Sequence, residues 1–350
     1  MNKIKLTYIT IFTVLFFTAC NENESIKENI PNNTPTVKAE TTYSVIVNKD
    51  IAYADGLGHN QSSTTPFPIP IYLDIYTPDN NSTNRPVFMF IHGGGFTGGT
   101  KTKPEIVEMA NYYTSRGWVF ISIDYRTTKE LSEIEGMSQE EVLMFYKGIA
   151  PQEWIEHAFT GSETPKQLQQ SIAMYTAQRD AKAALRWIIR NSIAYNINKD
   201  YITVGGASAG AISTIALGIS NQEDFRDEIT LSDDPTLSST NLNETFAVSS
   251  MVYFWGSNIK LDVFEKVYDL YRYDSNDPEL FMAHGNEYDP VTPYEEAIEL
   301  QGIYDSLGIH SELITLDGFG HGAWNATVNG KGLFEMSFDF LVKRQNLRVE

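Results

Sequence analysis

One serine limits the possible folds of this chain more than any other feature. It has a glycine two residues away on each side and lies at the junction of a strand-like and a helix-like run. The pentapeptide Gly206-Ala207-Ser208-Ala209-Gly210 follows the β-rich run 201–204 and precedes the apolar run 211–217. Small residues around a serine let a strand and a helix close on a strained turn that exposes the serine as a nucleophile. The alternative is a Gly/Ala-rich tight turn with an incidental serine, and the flanking strand and helix make that interpretation the weaker one.

Strand-like and helix-like segments alternate along the chain from residue 43 onward. Continuous apolar runs such as 118–123 are typical of strands that are buried on both faces of a parallel sheet. The alternation therefore predicts a mostly parallel, twisted sheet with helices on both faces, entered through antiparallel strands because no helix separates the first ones. The predicted strands are 43–48, 71–76, 87–91, 118–123, 201–204, 247–254, 280–283 and 311–316, and the predicted helices are 104–115, a segment ending near 190, 209–218, 293–307 and 332–344.

Two insertions, 127–170 and 221–244, interrupt this alternation. The first is much longer than an ordinary βα loop of about 2–6 residues. It also carries large apolar side chains such as Phe145 and Trp154, which a solvated linker would lack. Insertions at the strand ends of an α/β sheet often cover a substrate. We therefore predict that 127–170 is a lid, with a helical excursion around its own small core as the alternative.

The N-terminal residues predict export followed by lipid anchoring. A short basic start precedes a 12-residue apolar run at 6–17, which is too short to span a bilayer as a stable helix. The next residues, Phe17-Thr18-Ala19-Cys20, resemble a bacterial lipobox, in which the cysteine is lipidated and becomes the first residue of the mature protein. We therefore expect an exported lipoprotein of the cell envelope that faces the periplasm or the surface. A secreted protein cleaved after Ala19 is the alternative.

The chain accordingly divides into a signal peptide (1–19), a lipidated Cys20 with a flexible tether (20–42) and one α/β domain (43–350). The formal charge of −19 argues against nucleic acid as a partner, because phosphates require a basic surface. Cys20 is the one cysteine, so the chain can form neither an intrachain disulfide nor a thiolate metal cluster. We expect contact with a membrane only through the lipid on Cys20.

A second glycine-rich motif, His92-Gly93-Gly94-Gly95-Phe96, directly follows the strand-like run 87–91. Consecutive glycines allow backbone N–H groups to point into a cavity, where such donors stabilise the oxyanion of acyl transfer. A phosphate cradle is the weaker alternative, because Lys101 lies at the wrong spacing for a P-loop. We expect the His92 side chain to brace the loop rather than to act in catalysis.

These motifs resemble those of the α/β-hydrolase carboxylesterases with an HGGG-type oxyanion loop, and among them bacterial secreted or lipid-anchored esterases, including feruloyl- and acetyl-esterase-like members. The resemblance covers roughly 71–342 and implies the α/β-hydrolase fold. It also implies an oxyanion hole formed by the amides of Gly94, Gly95 and Ala209, with Gly93 in place of Gly95 left open. Three further stretches belong to the same pattern: Leu73-Asp74-Ile75-Tyr76-Thr77-Pro78, Ile123-Asp124-Tyr125-Arg126 and Ala184-Leu185-Arg186-Trp187-Ile188.

The family order places an acid and then a histidine after the nucleophile Ser208. Three histidines follow it in the chain, and we predict that His321 is the base, because its glycine-rich loop Gly318-Phe319-Gly320-His321-Gly322 comes after the last predicted strand. His310 opens a strand and is typical of an edge residue. His284 ends a strand in a turn.

The predicted acid is Asp289, which precedes a Pro and a Val in the loop after the penultimate strand of the family pattern. One extra residue between Gly285 and Asp289 leaves Glu287 as the runner-up, since a carboxylate of either length can orient a histidine. Asp262 and Asp317 are weaker candidates, and Asp317 is more typical of a structural turn.

The predicted activity is serine-dependent hydrolysis of carboxylic esters without a cofactor. Ser208 attacks the ester carbonyl, His321 takes the serine proton, and Asp289 orients the imidazole. No motif for a metal site occurs in the sequence. Acetyl or feruloyl esters of polysaccharides and short-chain acyl or aryl esters are the expected substrates. A serine peptidase on the same fold and a non-catalytic surface-binding protein are the alternatives.

Overall fold

An eight-stranded sheet organises the described part of the chain, with strand order β2-β3-β5-β4-β6-β7-β8-β9. The computed structural model describes residues 33–60, 63, 65–258, 261–269 and 271–350, so the predicted signal peptide and Cys20 lie outside the described residues. Residues 33–350 form one unit. The strands are β1 (Thr36–Val37), β2 (Val45–Gly58), β3 (Phe67–Pro78), β4 (Arg85–Ile91), β5 (Val119–Ile123), β6 (Ile197–Ala207), β7 (Ser250–Phe254), β8 (Glu279–Gly285), β9 (Ser311–Leu316), β10 (Thr327–Val328), β11 (Lys331–Gly332) and β12 (Arg348–Val349).

The helices lie between these strands, as the alternating sequence pattern predicts. Strands β5, β4, β6, β7, β8 and β9 pair in parallel, and β2, β3 and β5 pair antiparallel at one side of the sheet. The predicted fold class, a mostly parallel sheet with an antiparallel entry, is confirmed. The helices are α1 (Pro104–Thr114), α2 (Thr128–Leu131), α3 (Gln139–Phe145), α4 (Gln152–Gly161), α5 (Pro165–Asn191), α6 (Ala209–Ile219), α7 (Val263–Tyr268), α8 (Tyr294–Leu307) and α9 (Leu333–Arg344), with a 3-10 turn at Pro235–Ser239.

Strand β4 shows how the sheet separates two hydrophobic layers. Its alternate residues Val87, Met89 and Ile91 belong to the layer that contains α5, α6 and α8. The intervening Phe88 and Phe90 belong to the layer that contains α1 and α9. Because successive side chains point to opposite faces, a strand that is apolar throughout must be covered on both faces.

The N-terminal boundary of the domain differs from the predicted one. Thr36 and Val37 pair in parallel with Arg348 and Val349, and Val37 is fully buried. The predicted tether 20–42 is therefore too long, and within the described residues the domain already begins at Asn33. A two-residue strand that completes a C-terminal edge carries no periodicity, so the sequence pattern could not indicate it.

The insertion 127–170 folds into α2, α3, α4 and the first turns of α5. Tyr146 and Trp154 are buried and belong to the main hydrophobic layer rather than to a separate small core. The Trp154 indole donates to the Ser171 carbonyl at 2.9 Å and packs edge-to-face against Tyr175. The alternative of an excursion with its own core is therefore wrong. The lid function of this segment stays a prediction.

Candidate active site

Ser208 lies on a strained turn between β6 and α6. Its backbone has φ 56° and ψ −122°, in the left-handed region that a residue with a side chain rarely adopts. The Ser208 amide donates to the Phe254 carbonyl of β7 at 2.9 Å, which holds the turn. A Cβ atom on Gly210 would lie 2.0 Å from the Ile91 carbonyl oxygen, and one on Gly206 would lie 2.2 Å from the Gly210 oxygen. The flanking glycines are therefore required by this turn.

His321 lies on the loop after β9 and connects Ser208 to Asp289. Its Nε2 is 2.9 Å from the Ser208 hydroxyl, and its Nδ1 is 2.7 Å from Asp289 Oδ2. The His321 side chain is 39% exposed whereas that of Asp289 is 3% exposed. The three residues that the sequence assigns to catalysis are thus within hydrogen-bonding distance, with an accessible base and a buried acid.

The carboxylate of Asp289 accepts hydrogen bonds on both oxygens. Oδ1 accepts from the amides of Val291 at 2.8 Å and Thr292 at 3.2 Å, and Oδ2 accepts from the Thr292 hydroxyl at 2.7 Å. Burial alone would raise the pKa of Asp289, but the hydrogen bonds from Thr292, Val291 and His321 outweigh it and lower that pKa. The acid is therefore an anion at neutral pH.

Glu287, the sequence runner-up for the acid, does not reach His321. It is exposed, and its amide donates to the Phe319 carbonyl at 2.9 Å, which joins the acid loop to the histidine loop. Asp289 is therefore the carboxylate that the structure places beside the base.

The two weaker acid candidates have ordinary structural contacts. Asp262 pairs with Lys266 one helical turn away at 3.0 Å. Asp317 accepts from the Asn286 side-chain amide at 2.8 Å, in agreement with the turn role expected from the sequence. Neither contacts His321 through a hydrogen bond in the described residues.

The two other downstream histidines also lack contact with Ser208. His284 is buried at the end of β8, and its Nδ1 hydrogen-bonds the Gly285 carbonyl at 2.9 Å. Burial lowers the pKa of His284, so its ring is neutral. His310 is exposed and stacks on Phe340. The sequence-based choice of His321 agrees with this geometry.

The glycine loop after β4 packs directly against the serine turn. A Cβ on Gly93 would lie 2.6 Å from the Ala207 oxygen and 3.0 Å from the Ser208 Cβ, so this glycine is buried against the turn. Gly94 and Gly95 are half-exposed and have φ values of 137° and 60°. Because L side chains rarely adopt these angles, the loop requires glycine at both positions.

Backbone amides of the glycine loop and of Ala209 are available to a ligand. The N–H groups of Gly93, Gly94, Gly95 and Ala209 donate to no acceptor among the residues that the structure describes. Buried or half-buried N–H groups are almost always paired, so unpaired ones beside a nucleophile indicate a place for an incoming oxygen. The half-exposure of Gly94 and Gly95 favours them over the buried Gly93.

The side chains of His92 and Tyr125 support the glycine loop. The two rings stack with centroids 4.3 Å apart, and the Tyr125 hydroxyl donates to the His92 carbonyl at 2.9 Å. Burial lowers the pKa of His92 to about 4, so the ring is neutral, and its Nδ1 hydrogen-bonds the Gly93 carbonyl at 2.9 Å. His92 therefore braces the loop, as the sequence predicts.

The insertion 127–170 contacts the same loop at both of its ends. The Thr128 amide donates to the Phe96 carbonyl at 3.0 Å, and the Gln170 side chain donates to the Gly95 carbonyl at 2.6 Å. Both contacts bring the insertion to the edge of the sheet where Ser208 lies. Gln170 is a site residue that the sequence reasoning missed, since nothing in its neighbourhood marks it.

The described ranges contain neither a candidate metal site nor a candidate membrane-spanning helix. No cluster of three or more His, Cys, Asp and Glu side chains with metal-binding geometry is present there. No helix of those ranges has the length and apolar character of a membrane span.

The sheet and the turn at Ser208 have the α/β-hydrolase fold, and comparison with known proteins shows that the chain is similar to esterases of this fold. The BD-FAE family model matches residues 73–133 and 166–259, which include the glycine loop and the serine turn. Sequence relatives include the phenmedipham hydrolase of Pseudarthrobacter oxydans, 30% identical over 41% of this chain and 22% of its own. Another is the pyrethroid hydrolase Ces2a of Mus musculus, 28% identical over 41% of this chain and 20% of its own. The match thus spans about a fifth of each curated relative.

Solved structures show the same fold over most of the chain. A truncated carbohydrate esterase from gut microbiota covers 89% of this chain and 99% of its own, with a TM-score of 0.54 and 19% identity. Thermogutta terrifontis esterase 2 phosphorylated by paraoxon covers 85% of this chain and 94% of its own, with a TM-score of 0.55 and 17% identity. At these identities the likeness concerns the fold.

Proposed function

We propose that this protein is a serine carboxylic-ester hydrolase. The observation that carries the proposal is the continuous series of contacts from Ser208 through His321 to Asp289, at 2.9 and 2.7 Å, beside unpaired backbone amides. Such a series can activate a hydroxyl for attack on an acyl carbon. The names of the relatives, which are hydrolases and esterases, support the same chemistry.

Each catalytic step uses groups that lie within reach of one another. As the Ser208 oxygen bonds to the ester carbonyl carbon, its proton passes to His321 Nε2, and the carbonyl oxygen becomes an oxyanion. The oxyanion accepts from the amides of Ala209 and the glycine loop, where the loss of one donor costs about 10²–10³ in rate. The carbon–oxygen bond of the alcohol then breaks, and Nε2 protonates the leaving alcohol.

Deacylation repeats these steps with water as the nucleophile. His321 takes a proton from the water, the hydroxyl adds to the acyl carbon, and the bond to Ser208 breaks as Nε2 returns the proton to its oxygen. The products are the carboxylic acid and the free enzyme. Asp289 remains an anion throughout and stabilises the imidazolium that forms in each half-reaction.

The substrate classes that we propose are short-chain acyl or aryl esters and acetyl or feruloyl esters of polysaccharides. The 39% exposure of the His321 side chain supports access for a bulky alcohol such as a sugar chain. A half-exposed Trp324 packs edge-to-face on Trp255 at 5.0 Å, next to the strand end that holds Ser208. The accessible part of the Trp324 ring supports an apolar or aromatic acyl group, whereas Trp255 is buried behind it.

The test is hydrolysis of a panel of p-nitrophenyl acetate, butyrate and decanoate, methyl ferulate and acetylated xylan. We expect wild-type turnover of at least one ester, and Ser208→Ala to lower kcat by about 10³-fold or more. The matched control is Ser238→Ala, which removes an exposed hydroxyl that donates to the Pro235 carbonyl. Folded wild-type protein that hydrolyses no ester would contradict the proposal.

The same panel, extended by a peptide p-nitroanilide, separates the two alternative functions. A serine peptidase would cleave peptide anilides in preference to esters and would depend on Ser208 in the same way. A surface-binding protein would turn over neither type of substrate. The intact Ser–His–Asp contacts favour catalysis over binding, because a binding protein has no need of them.

We also propose that Cys20 carries a lipid that anchors the protein in the bacterial cell envelope. The support is the Phe17-Thr18-Ala19-Cys20 motif after a basic and apolar start. Mass spectrometry of the protein from a membrane fraction should find a diacylglyceryl modification at Cys20. The Cys20→Ser variant should lose it, and a wild-type protein cleaved after Ala19 with a free thiol would contradict the anchor.

A further inference from the structure

Thr292 contacts both the acid and the base of the candidate triad. Its hydroxyl oxygen is 2.7 Å from Asp289 Oδ2 and 3.0 Å from His321 Nδ1. The residue is 1% exposed, and its β-branched side chain has little rotational freedom. Neither the sequence motifs nor the relatives assign it a role.

Three polar atoms therefore meet at one point, and they share two protons. Asp289 Oδ2, His321 Nδ1 and the Thr292 hydroxyl oxygen lie 2.7–3.0 Å from one another. A carboxylate oxygen can only accept, so the Thr292 hydroxyl and the Nδ1–H of His321 both donate to Oδ2. Both bonds to the carboxylate are charge-assisted, which makes this arrangement the favoured one.

The opposite arrangement would prevent catalysis. If the Thr292 hydroxyl donated to Nδ1, the imidazole proton of a neutral His321 would lie on Nε2. That nitrogen, 2.9 Å from the Ser208 hydroxyl, could then accept no proton from the serine. Asp289 excludes this arrangement, because its carboxylate oxygen can only accept and lies 2.7 Å from Nδ1, so the acid fixes the Nδ1–H tautomer.

We propose that Thr292 is a positioning residue of the triad, whose hydroxyl donates to Asp289 Oδ2 and so holds this carboxylate oxygen where it accepts from His321 Nδ1–H. This proposal rests on the proposed function, since it assigns a role within the same site. It goes beyond that function because it adds a fourth residue to the three that the sequence identifies.

Kinetics of two variants test the role of the hydroxyl. Thr292→Val keeps the shape and removes one charge-assisted hydrogen bond, so we expect kcat to fall about 10- to 100-fold. KM should stay within about twofold, because the hydroxyl faces the triad and not the substrate. Thr292→Ser restores the hydroxyl and should return kcat to within about threefold of wild type.

A matched control separates the hydroxyl from the effect of placing valine at a buried threonine. Thr176 is fully buried in α5, and its hydroxyl bonds the Ala173 carbonyl at 3.0 Å. We expect Thr176→Val to leave kcat unchanged. If Thr292→Val does not fold, Thr292→Ala replaces it in the same comparison with Thr292→Ser.

Nitrogen NMR of ¹⁵N-histidine-labelled protein tests the contact between His321 and Asp289 without any substrate, with the His321 signals assigned from a His321→Gln variant. We expect His321 to carry its proton on Nδ1 in wild type and in Thr292→Val alike. The Nδ1 signal should shift in Thr292→Val, where the carboxylate loses the hydroxyl, and return to its wild-type position in Thr292→Ser. This readout stands even if the wild type hydrolyses no ester of the panel, which would instead contradict the proposed function.

Either of two results would overturn the inference. One is a folded Thr292→Val with kcat within twofold of wild type and an unchanged Nδ1 signal of His321. The other is Thr292→Ser as impaired as Thr292→Val, which would attribute the loss to packing of the methyl group rather than to the hydroxyl.

Discussion

Replacing Asp289 by asparagine should inactivate the enzyme without moving the side chain. The amides of Val291 and Thr292 donate to Oδ1 at 2.8 and 3.2 Å, so the asparagine carbonyl must stay in that position. If the asparagine amide were flipped, its NH₂ group would face the N–H groups of Val291 and Thr292, and neither side could accept a hydrogen bond. The asparagine NH₂ group therefore takes the place of Oδ2, 2.7 Å from His321 Nδ1, where it can only donate.

The consequence is a reversal of the imidazole tautomer. Nδ1 becomes the acceptor and Nε2 carries the proton, so Ser208 loses its base. We expect kcat to fall about 10³- to 10⁴-fold, which corresponds to about 4–5.5 kcal/mol of activation free energy. Binding of the ester does not involve this contact, so KM should change little.

The assay is p-nitrophenyl ester hydrolysis, with Glu287→Gln as the matched control. Glu287 lies two residues away and is exposed, so neutralising it should leave kcat within about twofold of wild type. Circular dichroism and the unfolding midpoint show whether each variant is folded. A folded Asp289→Asn that keeps a tenth of the wild-type kcat, or a Glu287→Gln that loses most of it, would refute the assignment of the acid.

Three other predictions concern stability and the serine turn. Asp180→Asn removes the carboxylate partner of Arg126 where both side chains are nearly fully buried, so urea unfolding should show a loss of about 3–5 kcal/mol in stability. The matched control Asp262→Asn, at an exposed pair, should cost less than about 1 kcal/mol. Burial, with a smaller repulsion from a neighbouring carboxylate, raises the pKa of Asp277 from 3.8 to about 7. Between these pH values the folded state binds more protons than the unfolded state, so the free energy of unfolding should fall as pH rises through this window. Asp277→Asn should flatten that slope when unfolding is measured from about pH 4 to 8. Gly210→Ala places a Cβ 2.0 Å from a backbone oxygen, so the variant should be inactive or insoluble, and wild-type activity would show that the turn has room.

The sheet could be predicted from the sequence wherever strands are continuously apolar. Strand β9 (Ser311–Leu316) has the predicted bounds, and β4 and β5 differ from the predicted ones by two residues or fewer. Strand β2 runs to Gly58, ten residues past its predicted end, through two register shifts against β3. Many of its side chains are exposed, so hydrophobic patterning could not reveal it. Apolar patterning reveals strands whose side chains are buried, and it does not reveal strands that are held mainly by backbone pairing.

The base and the nucleophile could be predicted because each lies in a turn that requires glycine. Positive φ angles and close backbone approach leave a glycine signature around Ser208 and His321, with Gly318 and Gly322 at φ 77° and 82°. Gln170 leaves no such signature, because its contact with the glycine loop depends on how α5 packs. Residues that act through tertiary packing carry no local pattern for a reader of the sequence to find.

Thr292 is a different case, since its contact with the acid is local in sequence. Asp289 accepts from the amides two and three residues ahead and from the hydroxyl three residues ahead, which is the geometry of an aspartate-capped turn. Four consecutive residues therefore hold the carboxylate in place, and only His321 has to be brought from another loop. The acid is buried and fixed by its own turn, whereas the base is half-exposed. This difference in exposure suits the mechanism, because the imidazole must exchange a proton first with the serine and then with the leaving alcohol while Asp289 remains in place.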